Sequence, residues 1–271
     1  NLSMLSIADG LSMDRLGPQL ERSGTSLRAA AISATQLIVQ RASLALDISP
    51  DEFEPLEPRL REERPILQIA DTLVNGAGFC QRLTKNTEGK SPLVVELIDS
   101  MLNNLSDPMV GSFFESKHRE ECHRSCYRCI QRYGNRGYHG LLDWRLGLSF
   151  LRCLFDPTHR VGLDGDFTKY SELKDWPELA KIAAQDIKRL DPHKRDIISV
   201  GPLNLPVVLH KSSGPSSEAF VIVHPFWDVV DMSAELKQTV DSLDSSHSIM
   251  FIDTFETNRR LMSAIENVRS K

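Results

Sequence analysis

Cys122-His123-Arg124-Ser125-Cys126-Tyr127-Arg128-Cys129 places three thiols within eight residues. Gaps of three and two residues let one knuckle of backbone aim several sulfurs at a single point, as a tetrahedral metal requires. In a chain with no secretory signal, such a group favours metal over disulfides and a cytoplasmic compartment. Zinc needs a fourth ligand, and Cys80, Cys153, His118, His123 and His139 are the candidates. Cys80 follows Gly76-Ala77-Gly78, where backbone approaches closely, and lies outside any apolar stripe. Cys153 sits in an amphipathic run between Leu151 and Leu154, where a buried structural cysteine belongs. The expected set is Cys80, Cys122, Cys126 and Cys129 holding one zinc per chain, with a histidine in place of Cys80 as the alternative. Four protein ligands leave no open position, so the site is read as structural rather than catalytic.

A basic stripe rides on the same segment. Arg124, Arg128, Arg132 and Arg136 recur every four residues, and no acid lies between Cys122 and Gly140. Tyr127, Tyr133 and Tyr138 are interleaved with them. Guanidinium forks suit phosphates and tyrosines stack on unpaired bases, so Arg124, Arg128, Arg132, Arg136 and Tyr133 are expected to contact single-stranded or forked DNA. The alternatives are that these arginines pair with the acids of residues 51–63, meet an acidic protein surface, or are simply solvated.

Outward from this segment the chain reads as α+β. Helical periodicity starts at Thr25, with Thr25 or Ser26 as cap, and runs through Leu27, Ala30, Ala31, Ala34, Leu37, Ile38, Arg41 and Ala45. Pro50, Pro55, Pro58 and Pro65, mixed with acids, predict an extended solvated connection. Ile66, Leu67, Ile69, Ala70 and Leu73 read as a second helix, residues 91–105 as a third, and residues 141–155 as a strongly amphipathic one. After Asp156-Pro157 the texture changes. A helix near 175–190 leads to the β-like runs Ile197–Val200, Pro206–Leu209 and Ala219–Val223, with a turn over Gly214-Pro215-Ser216-Ser217. A helix at 233–243, a strand at 248–252 and a helix at 256–268 complete the chain. The strands at 219–223 and 248–252 are expected to be parallel neighbours joined by that intervening helix. The organisation expected is a mainly helical zinc-binding domain (1–157), a helical connection (158–195) and a small α/β unit (196–271).

Composition narrows the function. The 271 residues are 41% hydrophobic and 25% charged, which excludes a disordered or collagen-like chain. Lys plus Arg number 32 against 37 Asp plus Glu, giving −5 net, so nucleic-acid contact must come from a local patch. No apolar run reaches the length of a membrane span, and Ser33, Thr35 and Gln36 interrupt the longest. The chain starts at Asn1 rather than Met and is expected to be a piece of something longer.

Asn75-Gly76-Ala77-Gly78-Phe79-Cys80, the knuckle with Tyr133-Gly-Asn135, and His139-Gly-Leu-Leu-Asp143-Trp-Arg145 together resemble the MZB module. That module lies at the C-terminus of MrfA-type superfamily 2 DNA helicases. Similar modules occur in the antiphage proteins DrmB of DISARM and DruE of Druantia. The resemblance covers about residues 20–155 and implies a zinc site on Cys80, Cys122, Cys126 and Cys129. It also implies a helicase motor in cis or in trans and a role in phage defence or DNA repair. The chain itself is then not an enzyme.

Other motifs are weaker. Gly89-Lys90-Ser91 lacks the preceding strand and first glycine of a phosphate loop. Asp164-Gly165-Asp166 reads as a turn. His224 and Asp228 follow a strand, where α/β sites lie, and would carry any enzymatic reading, but they come without a nucleophile.

Overall fold

The computed structural model describes residues 2–3, 8–12, 25–61, 64–73, 76–85, 89–211, 217–243 and 247–270. The stretch 13–22 with its Ser23-Gly24 breaker, Asn75, and the turn at 214–216 lie outside them. The chain combines helices and sheets in two compact units, the first running to His159 and the second holding Ala8–Ser12 with Arg160–Lys271.

In the first unit, α1 (Thr25–Leu46) is the central element. The sequence predicts one buried face. Instead, nearly every residue from Ser26 to Ser43 is buried. The reason is a hairpin that the sequence reading did not foresee. Residues expected to be a solvated connection and a helix are β2 (Phe53–Arg61) and β3 (Arg64–Asp71), antiparallel to each other. With the short β1 (Leu2–Ser3) they make a sheet of order β1-β3-β2 that packs on α1. Pro55 and Pro58 are tolerated because β2 is an edge strand, and the register shifts between Leu56 and Arg59.

By length and composition α1 is the one described helix that could cross a membrane, yet its apolar residues are spent on this unit's own core. Helix α2 (Phe79–Thr84) is short, and α3 (Leu93–Asn103) and α5 (Trp144–Phe155) follow the predicted periodicity. Asp143 caps α5 by accepting from the Leu146 amide at 3.2 Å. Helices α1 and α5 cross closely because Gly147 has no side chain. A Cβ there would sit 2.8 Å from Leu37 Cδ1 and 3.0 Å from Ser33.

The second unit is a four-stranded sheet of order β4-β5-β6-β7, formed by Arg195–Val200, Leu205–His210, Ser217–Val223 and His247–Asp253. The first two pairings are antiparallel. The last is parallel, with Ala219 opposite Ile249 and Ile222 opposite Ile252, as expected from the sequence. Helix α7 (Ala234–Asp241), capped by Ser233, lies between those two strands in the chain. Helices α6 (Trp176–Arg189) and α8 (Thr254–Arg269) pack on each other and on strands of this sheet. Ala180, Ala183, Ala184 and Ile187 of α6 lie in the same core as Phe220 and Val221. Residues 158–195 are therefore largely part of this unit rather than a connection. Leu11 bridges to Trp227, and the Ser12 amide donates to the Phe226 carbonyl at 3.0 Å, so an N-terminal segment belongs here too.

One buried carboxylate ties the helices of the first unit together. Asp107 receives Arg41 Nε of α1 at 2.8 Å and Ser100 Oγ of α3 at 2.7 Å. The Met109 and Val110 amides donate to its other oxygen at 2.9 and 3.0 Å. Burial by itself would raise this carboxyl, but the hydrogen bonds outweigh it and hold it below the usual range. A depressed carboxyl contributes stability above the ordinary carboxylate range and loses it as pH falls. Asp107→Asn leaves Arg41 buried without its counter-charge and should cost about 3–5 kcal/mol. Hydrogen exchange of α1 and α3 peptides at neutral pH checks this. The loss should be largest there and shrink on acidification, and unchanged protection would refute the role.

Candidate metal centre and its exposed loop

Helix α4 (Ser116–Glu121) sets the geometry of the knuckle. The Cys122 amide donates to the His118 carbonyl at 2.8 Å, which continues the helical turn and brings residues 118 and 122 onto one face. The chain then folds back so that His118, Cys122, Cys126 and Cys129 present their ligand atoms within 4.8 Å of one another. Cys122 and Cys129 sulfurs are 3.9 Å apart, Cys126 and Cys129 3.8 Å, and Cys126 Sγ lies 3.5 Å from His118 Nε2. A tetrahedron with metal–sulfur bonds near 2.3 Å and a metal–nitrogen bond near 2.0 Å has edges of about 3.8 Å and about 3.5 Å. The spacing fits a tetrahedral cation, and zinc is compatible with it.

The donor set is prepared around the gap. His118 is buried, and its Nδ1 donates to the Phe113 carbonyl at 2.9 Å, leaving the Nε2 lone pair directed at the sulfurs. Its ring packs against Phe113 and Trp144, with centroids 5.7 Å away in both cases. The Cys126 amide donates to Cys129 Sγ at 3.0 Å. The hydrogen bond from Cys129 holds Cys122 down to about 5 despite burial, and the same contact together with burial pushes Cys129 up. A divalent cation removes this conflict by letting all three ionise.

The fourth member of this group is His118, and Cys80, the expected ligand, is not in it. Cys80 opens α2, where its amide donates to Asp71 Oδ1 and its thiol to the Ile69 carbonyl. Burial, reinforced by the Asp71 carboxylate, pushes the Cys80 thiol up to about 12. Its sulfur is not among the ligand atoms gathered within 4.8 Å of one another. Gly76 and Gly78 serve the local turn, with φ of 69° and 77°, and Asp71 Oδ2 accepts the Gly78 amide at 2.8 Å. Cys153 is buried in α5, as the sequence reading expected. The spacing His118-x3-Cys122-x3-Cys126-x2-Cys129 carried the signal for the fourth ligand, because a histidine four residues before a ligand on a helix shares its face.

Behind the knuckle, Arg145 lies over the Trp144 ring at 4.2 Å and donates to the Cys122 carbonyl at 2.8 Å. Helix α1 holds the following loop. Gln40 donates to the Ile130 carbonyl, and Asn135 donates to Gln36, each at 2.9 Å. The Asp143 amide donates to Ser33 Oγ at 2.8 Å.

The outer side of this loop carries the arginine stripe. Arg124, Arg128, Arg132 and Arg136 are all exposed. Arg128 pairs with Glu121 at 2.5 Å, and Arg136 lies 4.5 Å over the Tyr133 ring. Tyr133 is 76% exposed and Tyr127 69%, with Tyr127 edge-on to His139 at 5.4 Å. His139 in turn donates to the Arg132 carbonyl at 2.9 Å. Tyr138 differs. Its hydroxyl donates to Glu57 at 2.8 Å, an acid that also receives Arg28, so it fastens the loop to the hairpin.

The remaining motifs lie in the core and in turns. Buried His224 packs among Trp176, Phe226 and Trp227, and its Nδ1 accepts the Phe226 amide. Asp228 Oδ1 accepts the Val230 and Asp231 amides in a turn. Asp164 and Asp166 do the same for Asp166 and Thr168, the expected turn. No protein-family model, curated protein or solved structure matches the chain. The likeness to the MZB module therefore stands on its motif residues alone.

Elemental analysis of single variants tests the assignment of the fourth corner. His118→Ala should lose stoichiometric metal, whereas Cys80→Ser and Cys153→Ser should retain it. Retention in His118→Ala with loss in Cys80→Ser would return the fourth position to Cys80.

Proposed function

We propose that this chain is a non-catalytic, zinc-stabilised module that grips single-stranded or forked DNA for a helicase motor. In this reading His118, Cys122, Cys126 and Cys129 hold one structural zinc, which contributes on the order of 10 kcal/mol to folding of the knuckle. The observation that carries the reading is the pair of exposed tyrosines among exposed arginines on a loop whose backbone is held from behind. Large aromatic rings left in water serve a partner's flat face, and unpaired bases offer one. The arginines supply phosphate contacts. The Arg128–Glu121 pair is exposed on both sides and worth little, so a phosphate displaces the acid cheaply. The chain is net −5, so attraction for DNA must come from a local basic patch such as this loop. Resemblance to the MZB module supports a motor in cis or in trans and a setting in phage defence or DNA repair.

Fluorescence anisotropy with labelled single-stranded and duplex DNA at two salt concentrations tests this. Arg128→Ala with Arg132→Ala should weaken binding about tenfold, or about 1.4 kcal/mol, and lower the salt slope by about two. Tyr133→Ala should hurt single strands more than duplex, and zinc content should be unchanged in both variants. If DNA affinity is unmoved while capture of a purified helicase motor is lost, the loop is a protein-docking surface and the DNA reading fails. ATP hydrolysis that persists through further purification would overturn the non-catalytic assignment.

A further inference from the structure

Two buried arginines of α5 reach back to the ends of earlier helices. Arg152 Nη2 donates to the Leu102 carbonyl at 2.7 Å and Nη1 to Asn103 Oδ1 at 3.2 Å, at the end of α3. Arg145 does the same for α4. Its Nη1 donates to the Cys122 carbonyl at 2.8 Å and its Nη2 to the Arg119 carbonyl at 3.2 Å. Carbonyls at a helix end have no partner within the helix, and a guanidinium fork can satisfy two at once. Here the two carbonyls bracket the turn that runs from His118 to Cys122, both members of the clustered ligand group. A second contact reaches the same turn through Trp144. The Arg145 guanidinium lies 4.2 Å over the Trp144 ring, and that ring packs on His118 with centroids 5.7 Å apart.

We propose that Arg145 is the positioning residue of the metal centre and sets how tightly its cation is held. The inference rests on the metal reading of His118, Cys122, Cys126 and Cys129, and is independent of the DNA reading. A guanidinium has no lone pair to give a cation, so Arg145 acts through its neighbours. It holds Cys122 by the main-chain carbonyl and His118 by way of the Trp144 ring, two separate routes to two of the four ligand residues. Groups that orient metal ligands commonly change affinity by about tenfold to a hundredfold without touching the metal. Arg145 belongs to α5, and α5 packs on α1. The α4 ligands are thereby tied to the core of the unit. Seating of α5 and binding of the cation are then linked, each favouring the other.

Competition between the full chain and a chromogenic chelator measures zinc affinity, and the visible absorption of the cobalt(II)-loaded chain reports ligand geometry. Arg145→Met keeps the apolar stem and loses the fork, and should weaken zinc binding about tenfold or more. Its cobalt form should keep the absorption of a four-coordinate site, because every ligand is still present. Arg145→Lys replaces the fork by a single point of attachment and should also bind zinc more weakly, which decides the matter if Arg145→Met does not fold. Arg152→Met makes the matching loss at the end of α3 and should leave zinc affinity unchanged. Removing zinc from the natural chain should speed hydrogen exchange across residues 144–155. Natural affinity in the Arg145 variants, an equal loss in Arg152→Met, or α5 protection indifferent to zinc would overturn the proposal. A natural chain that takes up neither zinc nor cobalt would instead remove the metal reading beneath it.

Discussion

Among the polar side chains that helix α1 buries, four find partners far along the chain. Ser33 meets Asp143, Gln36 meets Asn135, Gln40 meets Ile130 and Arg41 meets Asp107, at separations of 110, 99, 90 and 66 residues. A buried polar group without its partner costs about 1–3 kcal/mol, so none of these can be satisfied by a merely similar arrangement. The apolar residues of α1 would accept many packings. The polar ones accept one, and they dictate where α5, the Ile130–Asn135 loop and the Asp107 turn must lie. The knuckle is thus seated from behind before any metal is considered.

That seating explains how a short stretch with little regular structure presents four ligand atoms at tetrahedral spacing. Cys122 is placed by α4, and the Cys122 carbonyl is held by Arg145 at the start of α5. His118 is aimed by the Phe113 carbonyl and wedged against Trp144. The three sulfurs and the His118 nitrogen are then close enough to share one cation. A divalent cation bound there would let the sulfurs ionise together despite their burial.

Much of this was legible in the sequence, and the failures share a cause. The parallel pairing of β6 with β7 followed from two β-rich runs separated by a helical one, and α5 and α6 from clear periodicity. The hairpin of β2 and β3 was missed because Pro55 and Pro58 were read as breakers, although an edge strand has no need of their amides on its open side. Ile66, Leu67, Ile69 and Ala70 fit a helix as well as a strand over so short a run. Only pairing with β2 decides between them, and pairing is not a local property. The same gap hid the burial of the second face of α1. Of the four residues expected to hold the metal, Cys122, Cys126 and Cys129 come together in the structure and Cys80 does not join them. His118 was passed over for Cys80 because ligand type was weighed above helical spacing. A turn rich in glycine does suit a metal knuckle, but here it serves the Asp71 cap.

The exposed tyrosines acquire meaning from the rigidity beneath them. Residues 122–138 hold only a short 3-10 turn, and a loop of that kind ordinarily loses considerable conformational entropy when it grips a partner. Here Asn135 and Gln131 fasten the backbone from within, with Gln131 donating to the Ser125 carbonyl at 3.1 Å. Tyr138 fastens it from the hairpin side through Glu57. Tyr127 and Tyr133 therefore stand on a fastened backbone, so that under the proposed function what they would lose on binding is largely side-chain freedom. Arg136 over the Tyr133 ring limits even that. In the proposed reading, an aromatic and a guanidinium already held together would offer a stacking face and a phosphate donor at fixed separation, matching the alternation of base and phosphate along a single strand.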